Sequence, residues 1–158
     1  MKKRIIALGL LWCLSAVMLQ AARVDTVLVR SAAMNKDVKV VYVLPDKAIG
    51  KQACPVVYLL HGYGGNARSW VQLKPELPQM ADEKGIIFVC PDGKNSWYWD
   101  SPENPAYRYE TFVTSELVKY TDGNYATIPD RKARAISGLS MGGHGALWSA
   151  IRHKDVFG

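Results

Sequence analysis

The sequence predicts an α/β fold: a mostly parallel sheet with helices on both faces. Three observations predict it. Residues 55–60, 86–90 and 133–136 are short apolar runs of the kind that form strands buried on both faces. Stretches with helical spacing of apolar residues lie between them, as alternating strands and helices of a parallel sheet require. Each run ends in a turn that carries glycine: His61-Gly62-Tyr63-Gly64-Gly65, Pro91-Asp92-Gly93 and Gly138-Leu139-Ser140-Met141-Gly142. In such sheets ligands sit beyond the carboxyl ends of the strands, so the His61 turn, the 92–101 loop and the Ser140 turn are the candidate functional segments.

Residues 1–22 stand apart from this pattern. Lys2, Lys3 and Arg4 precede an apolar run over residues 5–19, and small residues Ala21 and Ala22 follow. A basic start, an apolar middle and a small-residue end predict a secretory signal peptide cleaved near Ala21 or Ala22. A membrane anchor needs about 20 apolar residues, more than this run has, so no stable membrane insertion is expected after cleavage. The expected localisation is secreted or periplasmic. The formal net charge is +6, but three of the basic residues lie in this segment, leaving 17 basic against 14 acidic residues, +3. The basic residues are dispersed, which excludes a nucleic-acid footprint.

Residues 24–29 and 38–44 are β-branched and partly alternating, and read as a hairpin at a sheet edge. Residues 45–52 read as a loop. Residues 69–84 are helical with interruptions at Pro75 and Pro78, stopped by Gly85. A long polar and aromatic loop follows from Lys94 to about Ala106. Residues 109–120 place Phe112, Val113, Leu117 and Val118 at helical spacing, and residues 141–151 form the last helix. Cys54 and Cys90 fall at opposite ends of two neighbouring strands. At ~3.3 Å per residue they lie roughly 15–20 Å apart, too far for a disulfide. No cysteine–histidine spacing suggests a metal site, and no cofactor is implied.

Gly138-Leu139-Ser140-Met141-Gly142 is a G-x-S-x-G turn between a strand and a helix, with Ser140 at its apex. The glycines remove side chains that would clash with the adjacent strand and helix. The turn lifts the Ser140 hydroxyl above the sheet and aims the Met141 amide, at a helix start, toward any negative charge forming there. An acyl-transfer site needs a second amide donor. The glycine-rich His61 turn offers Tyr63, with Gly64 as the alternative.

Four stretches carry a resemblance to a known family: VVYLLHGYGGN (56–66), FVCPDG (88–93), YETFVTSELVKY (109–120) and ISGLSMGGHGAL (136–147). The chain resembles the esterase family of the α/β-hydrolase superfamily. That family includes esterase D-like S-formylglutathione hydrolases, feruloyl and acetyl-xylan esterases, and mycolyltransferases. The resemblance implies the α/β-hydrolase fold, Ser140 as nucleophile and the Tyr63 and Met141 amides as oxyanion donors. It also implies an acid and a histidine on loops after later strands. Only 18 residues follow Ser140, so residues 23–158 are expected to be the N-terminal portion of an esterase domain, truncated after the helix that follows the elbow. As given, the chain is expected to be inactive and to expose an unpaired strand edge.

The remaining candidates are weaker. His144, in the helix after the elbow, is expected to pack on neighbouring loops. His61 is expected to brace its own turn, and His153 and Asp155 lie near the far end of that helix, away from Ser140. Trp97 and Trp99 are candidate substrate-binding residues in an aromatic loop that otherwise serves as a lid. Glu110 and Glu116 are expected to be helix-surface or structural residues, not paired catalytic carboxylates, and to face different ways. The expected reaction is hydrolysis of a carboxylic ester through an acyl-enzyme, on a small molecule or an acetylated or feruloylated polysaccharide. The alternatives are acyl transfer of the mycolyltransferase type and a non-catalytic carbohydrate-binding module on the same fold.

Overall fold

The computed structural model describes residues 22–158. The signal-peptide reading covers residues 1–22, of which 1–21 lie outside the described residues. Five strands form one sheet: β1 (Arg23–Ser31), β2 (Lys36–Leu44), β3 (Val56–Leu60), β4 (Ile87–Pro91) and β5 (Arg134–Gly138). Their spatial order is β1-β2-β4-β3-β5. The β1–β2 hairpin is antiparallel and joins β4 antiparallel, with Val40 opposite Pro91. β4, β3 and β5 run parallel, with Tyr58 between Val89 and Ile136. The sheet is therefore mixed: its parallel part is built from the three apolar runs, and the hairpin supplies the antiparallel part.

Side-chain alternation divides the core between the two faces. Tyr42, Tyr58, Leu60 and Val89 pack with Phe112, Leu117 and Met141 on one side. Val41, Val43, Leu59 and Phe88 pack with Leu77 and Ala81 on the other. Helices thus cover both faces. Residues 46–49 form a single helical turn, α1 (Asp46–Ile49), inside the segment expected to be a loop. The 69–84 segment divides into α2 (Ser69–Leu73) and α3 (Leu77–Lys84), because Pro75 cannot continue a helical hydrogen-bond ladder. Gly85 closes α3 in the left-handed conformation, at φ 64°.

The next helical segment runs farther than its apolar spacing indicates. It comprises α4 (Tyr109–Thr111), a π-helical turn over Phe112–Glu116 and α5 (Leu117–Asn124). Glu110 and Glu116 do face different ways. Glu116 accepts from the Ser31 hydroxyl (2.6 Å) and the Ala33 amide (2.8 Å), tying down the hairpin turn. Glu110 accepts from Trp148 Nε1 (2.8 Å), Arg152 Nε (2.7 Å) and His153 Nε2 (2.8 Å), fastening the last helix, α6 (Met141–Arg152). Cys54 and Cys90 are both buried free thiols, and burial pushes the Cys90 thiol up to about 12. β5 forms one edge of the sheet among the described residues, with Ala135 and Ser137 exposed. No described helix is long and apolar enough to cross a membrane, and no described cluster of acidic, histidine or cysteine side chains is arranged to hold a metal ion.

Candidate active site

The carboxyl ends of β3, β4 and β5 bring together the three turns identified in the sequence. Ser140 caps the start of α6 with φ 54° and ψ −117°, a left-handed conformation that a non-glycine residue adopts at a cost of roughly 1–3 kcal/mol. Two glycines make the turn possible. A Cβ on Gly138 would lie 2.2 Å from the Gly142 carbonyl carbon, and one on Gly142 would lie 2.1 Å from the Leu60 oxygen and 2.7 Å from that of His61. Backbone thus packs directly on backbone where β5, α6 and the end of β3 meet. The Leu139 amide donates to the Leu60 carbonyl at 3.2 Å, which locks the elbow to β3.

This contact sets the His61 turn beside Ser140. A Cβ on Gly62 would sit 3.6 Å from the Ser140 Cβ, so the Tyr63 peptide begins next to the serine. The Gly64 amide donates to Asn95 Oδ1 at 2.8 Å. The Tyr63 and Met141 amides have no protein acceptor among the described residues. Met141 stands first in a twelve-residue helix, where unpaired amides and the helix dipole both favour an anion. Ser140 is exposed and its hydroxyl is likewise unpartnered. The arrangement can present a hydroxyl nucleophile with a backbone amide on each side of it.

Two buried side chains hold the turn. His61 Nε2 accepts from the Gly93 amide (2.9 Å), which leaves the ring proton on Nδ1 to donate to the Gly62 carbonyl (2.7 Å). Tyr98 is fully buried, in a slot that two glycines leave open. A Cβ on Gly93 would fall 2.2 Å from the Tyr98 ring, and one on Gly145 2.5 Å from its Cβ. The Tyr98 hydroxyl accepts from the His61 amide at 3.0 Å. Asp92, between these groups, is buried. Burial works to raise its pKa, but the Lys94 ammonium (2.8 Å) and amide (3.0 Å) hold the carboxyl well below the usual range. At 3.7 Å, and with its Nε2 lone pair facing Gly93, His61 does not hydrogen-bond Asp92.

None of the three histidines reaches Ser140. His61 is engaged as described. His144 lies against Trp97, with Nδ1 3.1 Å from the Trp97 carbonyl and the ring stacked on Trp148, and His153 contacts Glu110. Trp97 and Trp99 are each 47% exposed, and the Trp97 ring meets His144 edge-on at 5.4 Å, one helical turn past Ser140. The aromatic loop is therefore partly a core plug, through Tyr98, and partly an exposed surface beside the elbow. Sequence reasoning did not find Asn95 or the Tyr98 slot. Asn95 lies in a loop with no periodicity, and the slot shows only as glycines at 93 and 145, far apart in sequence.

Residues 31–158 match the family model described as "Putative esterase". The chain is 28% identical over 135 residues to an acetyl esterase of Caldicellulosiruptor saccharolyticus, covering 80% of this chain and 50% of that protein. It is 33% identical over 144 residues to diacylglycerol acyltransferase/mycolyltransferase Ag85A of Mycobacterium gordonae, covering 85% and 40%. An S-formylglutathione hydrolase structure from Agrobacterium tumefaciens superposes with a TM-score of 0.77 at 28% identity, over 87% of this chain and 56% of that one. The chain spans about half the length of the curated relatives it matches. With the elbow, the parallel strands beneath it and the family match in agreement, this chain belongs to the esterase family of α/β-hydrolase-type proteins.

Proposed function

We propose that the whole protein is an exported serine esterase that cleaves carboxylic esters through an acyl-enzyme on Ser140. The observation that carries this reading is the pair of unpartnered amides, Tyr63 and Met141, on either side of the strained Ser140 turn. In the proposed reaction Ser140 Oγ bonds to the ester carbonyl carbon and its proton passes to a histidine. The Tyr63 and Met141 amides stabilise the resulting oxyanion, as preorganised donors do in acyl transfer. Collapse expels the alcohol, which takes up that proton, and water then releases the acid from the serine. The three histidines of this chain are held elsewhere, so the general base and its acid partner come from residues outside this sequence. The 158-residue chain alone is accordingly proposed to be catalytically inert.

Export, proposed from residues 1–22, favours acylated extracellular material such as acetylated or feruloylated polysaccharide over a cytosolic thioester. The acetyl esterase relative supports an acetyl group as the acyl part. Trp97 and Trp99 would border the acyl or sugar portion of the substrate. The test is to assay the whole protein on acetylated xylan, feruloylated xylan and S-formylglutathione. Faster turnover of a xylan ester supports the reading, and preference for the thioester contradicts it. The mycolyltransferase relative supports a second reading, in which a sugar hydroxyl replaces water in resolving the acyl-enzyme. Product analysis with an added sugar acceptor separates transfer from hydrolysis.

A further inference from the structure

A half-open cavity of about 240 Å³ lies on the same rim of the sheet as Ser140, lined by Lys36, Asp37, Lys39, Asp92, Lys94 and Tyr109 and by the apolar Leu28 and Val38. Its position follows from the strand register. β2 runs antiparallel to β4, and the Asp92 amide donates to the Lys39 carbonyl at 2.9 Å, so the start of β2 sits beside the carboxyl end of β4. β4, β3 and β5 are parallel neighbours whose carboxyl ends share that rim. Three strand spacings of ~4.8 Å separate the cavity from the elbow by about 14 Å.

The charges around this cavity do not balance. Asp92 is paired with Lys94 at 2.8 Å, and Asp37 faces Arg30 at 3.6 Å. Lys36 and Lys39 have no acidic partner among the described residues. Lys36 is also fixed in place: its ammonium donates to the Ala106 carbonyl at 2.5 Å and lies 4.8 Å from the Tyr109 ring centroid. Burial, and then the charge of Lys94, lower its pKa from the ordinary lysine value. Tyr109, 1% exposed overall, also lines the cavity, and its hydroxyl makes no protein hydrogen bond among the described residues.

We propose that this cavity is a distal subsite for a carboxylate-bearing sugar of the glycan whose ester lies at Ser140. Lys36 and Lys39 hold the carboxylate, the Tyr109 hydroxyl donates to the sugar, and Asp92 accepts from a ring hydroxyl. The inference rests on the esterase reading above and narrows its substrate to an acidic polysaccharide. A tripeptide thioester also carries carboxylates, but three residues reach at most about 10 Å, short of the ~14 Å from elbow to cavity. One loop also connects the two ends of this path. Lys94 contacts Asp92, Asn95 holds the Gly64 amide, and Trp97 meets His144 beside the elbow. Trp97 and Trp99, in the same loop, are half-exposed.

The test is calorimetric titration of the whole protein with a glucuronic-acid-bearing xylo-oligosaccharide, the neutral xylo-oligosaccharide of the same length, and glutathione. The acidic oligosaccharide is expected to bind about tenfold more tightly than the neutral one, the worth of one charge-assisted contact. Lys39→Ala, at an exposed position where the fold does not depend on the side chain, is expected to remove that preference, and Lys36→Met to do the same. Equal affinity for acidic and neutral oligosaccharides, an unchanged preference in Lys39→Ala, or tighter binding of glutathione would each overturn the proposal. Hydrolysis of p-nitrophenyl acetate by the unmodified whole protein reads the esterase assignment separately. Acid-selective binding without hydrolysis keeps the subsite and removes the esterase reading, whereas hydrolysis without acid selectivity does the reverse.

Discussion

The Tyr98 hydroxyl accepts a hydrogen bond from the His61 amide at 3.0 Å, deep in a slot between Gly93 and Gly145. With the bond from the Gly64 amide to Asn95, this contact connects the aromatic loop to the turn that carries the Tyr63 amide. Tyr98→Phe keeps the ring that fills the slot and removes only the hydroxyl. The buried His61 N–H then has no acceptor, which costs about 1–3 kcal/mol. Urea denaturation should show a lower midpoint with an unchanged slope. An unchanged midpoint would mean that the contact contributes nothing to holding the turn.

The elbow glycines make a sharper prediction. Gly142→Ala would drive a Cβ to 2.1 Å from the Leu60 oxygen, backbone against backbone with nothing flexible to yield. The variant is expected to fail to fold or to lose several kcal/mol, on the order of the largest single-residue effects. Gly123→Ala, in α5, meets nothing within 4 Å and should raise stability by about 0.5 kcal/mol. Thermal melts of the two variants side by side measure the contrast.

Glu110 predicts an acid limit to stability. Burial opposes its charge, but Arg152, Trp148 and His153 outweigh burial and lower its pKa. A depressed folded-state pKa stabilises the fold at pH values above the unfolded value of about 4.3, and that contribution is lost as pH falls through the folded value. Glu110→Gln should therefore be less stable than the parent at pH 7, and the two should converge as pH drops below about 4. A constant difference across that range, followed by chemical denaturation at each pH, would remove Glu110 as its source.

The start of the described chain bears on export. The Ala22 amide donates to Asp82 Oδ2 at 2.7 Å, and Ala22 is buried. Cleavage after Ala21 would place a charged α-amino group on that carboxylate, a stronger pairing than the amide makes. Intact-mass analysis of protein recovered from outside the cell should give an N-terminus at Ala22. An uncleaved chain, or a terminus well past Arg23, would contradict the signal reading.

Much of this architecture is legible in the sequence because it depends on local rules. The three apolar runs, the Gly-x-Ser-x-Gly turn, the His61 turn and the Pro91-Asp92-Gly93 turn each announce themselves within about ten residues, and all three turns meet on one rim. What stays hidden depends on long-range contact. The π-helical turn after Glu110 leaves no periodic trace, since Phe112 and Leu117 fit ordinary helical spacing. Glu110 reads as a surface carboxylate until α6 folds back to place Trp148, Arg152 and His153 on it. Likewise, nothing local shows that the Gly64 amide is taken up by Asn95, 31 residues beyond it in a loop without pattern.

The central claim is that Ser140 carries the acyl group. Rapid quenching of the whole protein with p-nitrophenyl acetate, followed by peptide mass spectrometry, tests it most directly. The account predicts one acetyl group, on the peptide containing Ser140, and none in Ser140→Ala. Acetylation of a different residue, or equal labelling of the Ser140→Ala variant, would contradict it.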